Sequence, residues 1–323
     1  MKVKGKARAH ANIALIKYWG KRNDELILPM NSSLSLTLDC FYTETEVNFN
    51  DEIEKDYFYL NDNIQDEAAT KKISDFLDLF RNSAGVKSSA VVKSTNYVPT
   101  AAGLASSASG FAALAAAANV ASGLNLDSKE LSIYARQGSG SATRSIYGGF
   151  VEWRKGISEK DSHAIPIDDA KWDIGMVVVI VNAKEKLISS REGMKLTMET
   201  SPFYTSWVES AEEDLKQIKI AINKRDFEQI GLIAERNSLK MHATMLGANP
   251  PLSYWQPDSV TVMKIVRELR EEGILCYFTM DAGPNVKILC KLSESHIIRE
   301  RLRQIFESKQ IIVTGPGPGV TIL

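Results

Sequence analysis

Four segments gather residue types that can handle phosphate and carboxylate groups. "DAGPN" (281–285) follows the apolar run "ILCYFTM". It sets Asp281 where a buried strand should break into a turn, a place suited to a catalytic carboxylate, although an aspartate opening a turn is also ordinary turn chemistry. "SGSATRS" (139–145) puts Ser139, Ser141 and Thr143 beside Gly140 and Arg144. It reads as an anion-binding turn, with the Arg144 fork able to grip carboxylate or phosphate, or as a polar surface loop. "KYWGKR" (17–22) clusters Lys17, Lys21 and Arg22 around Tyr18, Trp19 and Gly20; its plain reading is a solvated charge run.

The fourth segment, "PTAAGLASSASG" (99–110), is uncharged and leads into the equally uncharged "FAALAAAANVASGL". Three readings compete: a membrane span, a tightly packed helix, and a phosphate loop at a helix start. The stretch from Val98 to Leu126 is long enough to span. It is mostly Ala, Gly and Ser, with Asn119 inside and too few Leu and Ile to drive insertion. As a phosphate site, Gly103 lets backbone N–H groups approach an anion closely. Ser106 and Ser107 add hydroxyls and a candidate Mg²⁺ ligand, and the helix start adds its positive dipole end. Neither a Walker loop nor a GxGxxG pattern is present.

The bulk numbers narrow the function classes. A chain of 323 residues accommodates two ordinary domains. A net charge of -1 gives no global pull toward nucleic acid or a membrane surface. Cys40, Cys276 and Cys290 lack CxxC spacing and each adjoins an apolar run, so buried reduced thiols and a cytosolic protein are expected. The four histidines are scattered without zinc-site spacing. The apolar part of the N-terminus, "ANIALI", is too short for a signal h-region.

The elements that must position these groups follow from periodicity. Alternation predicts strands at 33–40 and 43–50. Ile73, Phe76, Leu77 and Phe80 predict a helix ending near Gly85, followed by a strand at "SSAVVKSTN". The Ala-rich helix should stop at Gly123, and the next should be capped by Asp127 or Ser128. "DIGMVVVIVNA" reads as a fully buried strand opening a second half. That half holds three amphipathic helices, two strands around "DAGPN", a helix at about 294–308 and a terminal strand. Along "DSVTVMKIVRELREEG" the buried face is expected at Val260, Met263, Val266 and Leu269. Helices on one side of a small antiparallel sheet give an α+β class.

"PTAAGLASSA" resembles the phosphate loop of the GHMP kinase superfamily. "NIALIKYWGKRNDELILPMNSSLSLTL", "NYVPTAAGLASSASGFAAL", "GSGSATRSIYGGFVEW" and "YFTMDAGPNVKIL" are similar to the diphosphomevalonate decarboxylase family within it, from about Ala9 to at least Lys291. The resemblance implies the GHMP kinase fold: an N-terminal ribosomal-protein-like domain (1–178), a C-terminal ferredoxin-like α/β sandwich (179–323), and an active-site cleft between them. It implies ATP-dependent conversion of (R)-5-diphosphomevalonate to isopentenyl diphosphate, ADP, phosphate and CO₂ in the mevalonate pathway, with Mg²⁺. The same-superfamily alternative is a kinase acting on the 3-hydroxyl without decarboxylation.

The resemblance also implies roles. Tyr18, Trp19, Gly20, Lys21, Lys72, Ser139, Gly140, Ser141, Arg144, Ser190 and Arg191 would bind substrate. Ala101, Ala102, Gly103, Leu104, Ala105, Ser106 and Ser107 would bind ATP, with Ser106 or Ser107 near the metal. Asp281 would be the catalytic carboxylate, assisted by Arg144 and Lys17. A cytoplasmic homodimer with no nucleic-acid or membrane partner is expected.

Overall fold

The computed structural model describes residues 3–97, 106–182 and 188–323. The chain opens with the long strand β1 (Val3–Ile16), a small hairpin of β2 (Lys21–Asn23) and β3 (Leu28–Pro29), and a second long strand, β4 (Ser33–Asn50). β5 (Tyr57–Leu60), β6 (Asn63–Ile64), α1 (Glu67–Ala84), β7 (Ser89–Tyr97), α2 (Ser106–Ser122) and α3 (Ser128–Gly138) follow. A 3₁₀ segment (Gly140–Ile146), β8 (Phe150–Trp153) and β9 (Ala164–Asp168) complete the first half.

β1, β4, β7, β5 and β6 lie side by side in that order, and β8 and β9 extend the sheet from the front half of β4. The two strands expected at 33–40 and 43–50 are therefore one. β4 changes partner along its length, with β8 against Ser33 to Leu36 and β7 against Tyr42 to Asn50. The exposed pair Asp39 and Cys40 marks the change. Cys40 is thus not the buried thiol its apolar neighbours suggested, whereas Cys276 and Cys290 are.

Local chemistry sets the helix ends. Asp66 caps α1 by accepting from Ala69 N, and Gly85 closes it at φ 68°. Asp127 and Glu130 form a reciprocal capping box on α3. The body of α2 answers part of the question its composition raised: Ala112 through Ala118, with Leu114, is buried against β1. The approach is so close that a Cβ on Gly5 would lie 2.1 Å from the Ala117 carbonyl oxygen. Small residues are what let this helix pack on a sheet. Among the described residues, no helix is long and apolar enough to cross a membrane.

The second half contains β10 (Gly175–Val179), α4 (Ser190–Thr200), α5 (Tyr204–Lys224), α6 (Phe227–Leu246) and α7 (Pro257–Glu271). β11 (Cys276–Met280), β12 (Val286–Cys290), α8 (Ser295–Leu302), β13 (Ile311–Thr314) and β14 (Thr321–Ile322) end the chain. β11, β12, β10 and β13 form an antiparallel sheet in that order. Helices cover both faces rather than one. Val177, Val179, Phe278 and Ile288 meet α7 and α8, while Met176, Val178, Tyr277 and Leu289 meet α5 and α6. The second cluster also takes in Ile13, Leu15, Leu34 and Leu36, so one core joins the two sheets.

Three further details differ from expectation. Val260 is half exposed; Val262, Met263, Ile265, Val266 and Leu269 form the buried face of α7. α8 stops at Leu302, well short of residue 308. The expected terminal strand is two: β13 completes the second sheet, and β14 returns to pair with β1, Ala7 facing Ile322.

Candidate active site

The end of β1 carries the first part of the site. Its pairing with β4 is irregular between His10 and Asn12 and again between Ala14 and Ile16. Such irregularities re-aim side chains. Asn12, Ala14 and Lys17 line one cavity of about 320 Å³. Lys17 has its backbone fixed on both sides: its N–H donates to Asn237 Oδ1 at 2.8 Å, and Asn31 Nδ2 donates to its carbonyl at 2.9 Å. Asn237 is itself held, donating to buried Asp214 at 2.9 Å.

Asp281 faces Lys17 from the end of β11. Ser238 Oγ accepts from Met280 N at 2.9 Å and donates to Met280 O at 3.1 Å, fixing the residue before the turn. Lys17 Nζ then lies 2.7 Å from Asp281 Oδ1, and Lys287 Nζ, from β12, lies 3.0 Å from Oδ2. Both lysines are buried, while the Asp281 side chain keeps 37% of its surface open, on the cavity side.

The electrostatics follow. Burial alone would push the Asp281 carboxyl up, but the adjacent Lys17 and Lys287 ammonium groups hold it far below the ordinary carboxylate range. Burial draws Lys17 down to about 8, against the opposing pull of Asp281. Buried His242, 3.4 Å from Met280 O, is drawn down to about 4 by burial and by Lys17, so it is neutral at pH 7. Asp281 is therefore an ionised, weakly basic carboxylate fixed by two cations.

Arg144 stands on another wall, from the 3₁₀ segment. Its Nε donates to Asn12 Oδ1 at 3.2 Å, Nη1 donates to Ser33 Oγ, and the guanidinium lies 5.9 Å from the centre of the Trp153 ring. Burial pulls its pKa down to about 10, and it stays charged at neutral pH. The Ser139 and Ser141 hydroxyls lie 3.1 Å apart beside it. Gly140 is needed there, because a Cβ would sit 2.7 Å from the Trp153 ring and 3.0 Å from Tyr18.

The remaining wall is cationic. Lys21, Lys72, Ser190 and Arg191 all line the cavity. Lys21 pairs with exposed Asp24 at 2.9 Å. The Lys72 ammonium lies 5.1 Å from the centre of the Phe111 ring, and burial plus Arg191 lower its pKa. Ser190 and Arg191 sit in the first turn of α4, a helix the sequence reading did not find, capped by Ser189 and Glu192. Tyr18 and Trp19 line the cavity too. Trp19 is almost wholly buried, its ring edge-on to Tyr254.

Gly20 is the exception among the expected substrate residues: it forms no part of the cavity wall. Its φ of +116° turns the chain, and a Cβ there would lie 1.8 Å from Tyr204 Oη. Ser107 lines the cavity from the start of α2, with Ser139 Oγ donating to it at 3.5 Å. Ala101, Ala102, Gly103, Leu104 and Ala105 lie outside the described residues, as does the side chain of Ser106.

Lys287, Asn12, Asn237 and Ser238 went unnoticed in the sequence. Lys287 did leave a signal: a lysine inside the apolar run "VKILC" has to be paired if that run is a buried strand.

Known proteins share this arrangement's sequence and fold. A family model for the diphosphomevalonate decarboxylase-like N-terminal domain matches residues 9–164, and one for the mevalonate 5-diphosphate decarboxylase C-terminal domain matches residues 176–315. The human diphosphomevalonate decarboxylase is 37% identical over 302 residues, covering 87% of this chain and 75% of that protein. The Ganoderma lucidum enzyme is 35% identical, covering 93% of this chain and 80% of its own. The crystal structure of mevalonate diphosphate decarboxylase from Staphylococcus aureus is 50% identical with a TM-score of 0.97, covering 100% of this chain and 98% of that one. A structure described as MDDEF in complex with MVAPP, AMPPCP and magnesium is 53% identical with a TM-score of 0.95, covering 100% and 99%. The chain belongs to the diphosphomevalonate decarboxylase family.

Proposed function

We propose that the cavity performs ATP-dependent decarboxylation of (R)-5-diphosphomevalonate, giving isopentenyl diphosphate, ADP, phosphate and CO₂. The observation that carries this reading is the Lys17–Asp281 pair facing Arg144 and the Ser139 and Ser141 hydroxyls across one cavity. The substrate brings a diphosphate, a carboxylate and a tertiary hydroxyl, and ATP brings a triphosphate. A chain of net charge -1 meets that load by concentrating Lys17, Lys21, Lys72, Arg144 and Arg191 around the site.

In this reading Asp281 accepts a hydrogen bond from the 3-hydroxyl and aims its oxygen at the γ-phosphorus. A carboxylate so acidic cannot deprotonate an alcohol outright. Proton transfer late in a loose, metaphosphate-like transition state fits it better. Arg144 and the two serines grip the acidic ends of the substrate, with Tyr18 and Trp19 closing the wall. Lys21, Lys72, Ser190 and Arg191 hold the diphosphate. Once phosphorylated, the tertiary carbon loses phosphate, and the neighbouring carboxylate supplies its electrons as CO₂ departs.

ATP phosphates would be held by the start of α2 and the segment from Ala101 to Ser107. Ser107 supports this, since it opens onto the cavity and the first turn of α2 holds no acidic residue to compete with an anion. The described residues contain no cluster of three acidic, histidine or cysteine ligands. In this reading Mg²⁺ would be carried mainly by phosphate oxygens, with Ser106 or Ser107 completing its shell. Bound Mg²⁺ would neutralise phosphate charge during transfer.

The two units, 1–178 and 179–323, form the walls of the cleft in this scheme, and the protein works as a cytoplasmic homodimer. The free, buried thiols of Cys276 and Cys290, opposite each other in the β11–β12 ladder, support a reducing compartment. The deciding experiment measures ADP and CO₂ release together, with 5-diphosphomevalonate, mevalonate and 5-phosphomevalonate compared. Equal ADP and CO₂ from the diphosphate alone is expected. ADP without CO₂ would favour the kinase reading.

A further inference from the structure

We propose that Lys287 is a positioning residue for the reaction, locking the plane of the Asp281 carboxylate from behind so that one lone pair is left aimed into the cavity. Lys287 is 3% exposed and does not line the cavity, so it reaches substrate only through Asp281. It sits on β12, an inner strand of the second sheet, with Val286 and Ile288 packed on the opposite face. A charge buried there is costly unless paired. Its partners are Asp281 Oδ2 at 3.0 Å and Asn285 O at 3.2 Å.

Geometry gives the pair its function. One ammonium on a carboxylate leaves it free to swing about its Cβ–Cγ bond. Two ammonium groups on different oxygens, Lys17 on Oδ1 and Lys287 on Oδ2, remove that freedom. The two cations arrive from different places in the chain, Lys17 just after β1 and Lys287 within β12, so the carboxylate is not held within one loop. The groups facing Asp281 are Lys17 just after β1, Lys287 from β12, Arg144 from the 3₁₀ segment and neutral His242 from α6. Lys287 is the one among the three cations that does not wall the cavity, and of its two close partners only Asp281 does.

The inference rests on the proposed role of Asp281, and the experiment separates the two. Steady-state turnover with 5-diphosphomevalonate and Mg²⁺-ATP is measured at neutral pH for the wild type, Lys287→Met, Lys287→Arg, Asp281→Asn and the double variant. Lys287→Met should lower kcat roughly 10–100-fold, the range for a misplaced reacting group, with both KM values within about threefold. A fall in kcat with KM held is a split that a merely structural role would not produce. Lys287→Arg, which keeps the cation, should restore most of the lost kcat. Asp281→Asn and the double variant should have equal residual turnover within about twofold, since Lys287 acts only through the carboxylate.

Wild-type kcat in Lys287→Met would overturn the inference while leaving Asp281 in its role. Wild-type turnover in Asp281→Asn would overturn that role itself. Should Lys287→Met fail to fold, the double variant, which removes both members of this pair while Lys17 keeps its hydrogen bond to Ala14 O, decides. A further tenfold loss relative to Asp281→Asn would show that Lys287 acts independently, contrary to the inference.

Discussion

Asn237 and Ser238 are neighbours in α6 that support two different residues of the cavity wall. The Asn237 side chain accepts from the backbone N–H of Lys17, and the Ser238 hydroxyl brackets the backbone of Met280, beside Asp281. One turn of one helix thus sets the spacing of an ion pair whose members come from the first and second sheets. Asn237→Leu should leave the buried Lys17 N–H without its acceptor, while Asp214 Oδ2 loses one donor and keeps Lys240. A loss of about 1–3 kcal/mol per stranded buried group is expected, read from urea unfolding. Unchanged stability with unchanged turnover would mean that α6 does not set this spacing.

Asp281→Asn keeps the shape and turn-forming ability of the side chain but removes its charge. Turnover should fall about 10²–10⁴-fold, with nucleotide binding near normal by calorimetry. ADP and CO₂ release should fall together, because phosphorylation of the hydroxyl precedes loss of CO₂. Persisting ADP formation without CO₂ would move Asp281 to the elimination step.

Arg144→Lys retains a cation but cannot donate to Asn12 and Ser33 while presenting a flat face toward Trp153. Losing one charge-assisted hydrogen bond is worth about 1.5–3 kcal/mol, so kcat/KM should drop at least roughly tenfold. Wild-type kinetics would remove Arg144 from substrate recognition.

Activity should fall as pH rises through about 8, where buried Lys17 loses its proton and Asp281 loses one of its clamps. Stability should respond in the other direction. The unfolded lysine titrates near 10.5, so between about 8 and 10.5 the unfolded chain binds more protons than the folded one. This group then favours the folded state progressively as pH rises. Rate and thermal unfolding measured on the same samples would reveal the divergence. A flat rate from pH 7 to 9.5 would show that the charge on Lys17 is dispensable.

Gly20→Ala should be poorly tolerated although Gly20 does not touch the cavity. Its φ is +116°, and the added Cβ would collide with Tyr204 Oη. Backbone strain of about 1–3 kcal/mol is expected, with Trp19 and Lys21 displaced on either side. Normal melting and normal kinetics would contradict this.

The site was legible where a motif is local and chemically unusual. Arg144 in its serine turn, Asp281 at the break of an apolar strand and Lys17 before two aromatics all lie around one cavity. What periodicity missed depends on contacts distant in sequence. Asn237 and Ser238 look like ordinary polar residues of an amphipathic helix until β1 and β11 dock on them. The alternation of β4 continues through its change of partner, so sequence divided one strand into two. The exposure of Cys40 follows from that same junction.

The pairing of β14 with β1 has a consequence for how the molecule is assembled. Ala7 waits for Ile322, and Arg8 for Thr321, before the outer side of β1 gains these hydrogen bonds. A nascent chain would therefore carry an open sheet edge through nearly all of its synthesis, with loop-closure entropy opposing the last step. A late edge of this kind is where self-association begins when folding is slow. Chains lacking the β14 residues should retain the cavity walls yet refold with more aggregation, a defect of production rather than of chemistry.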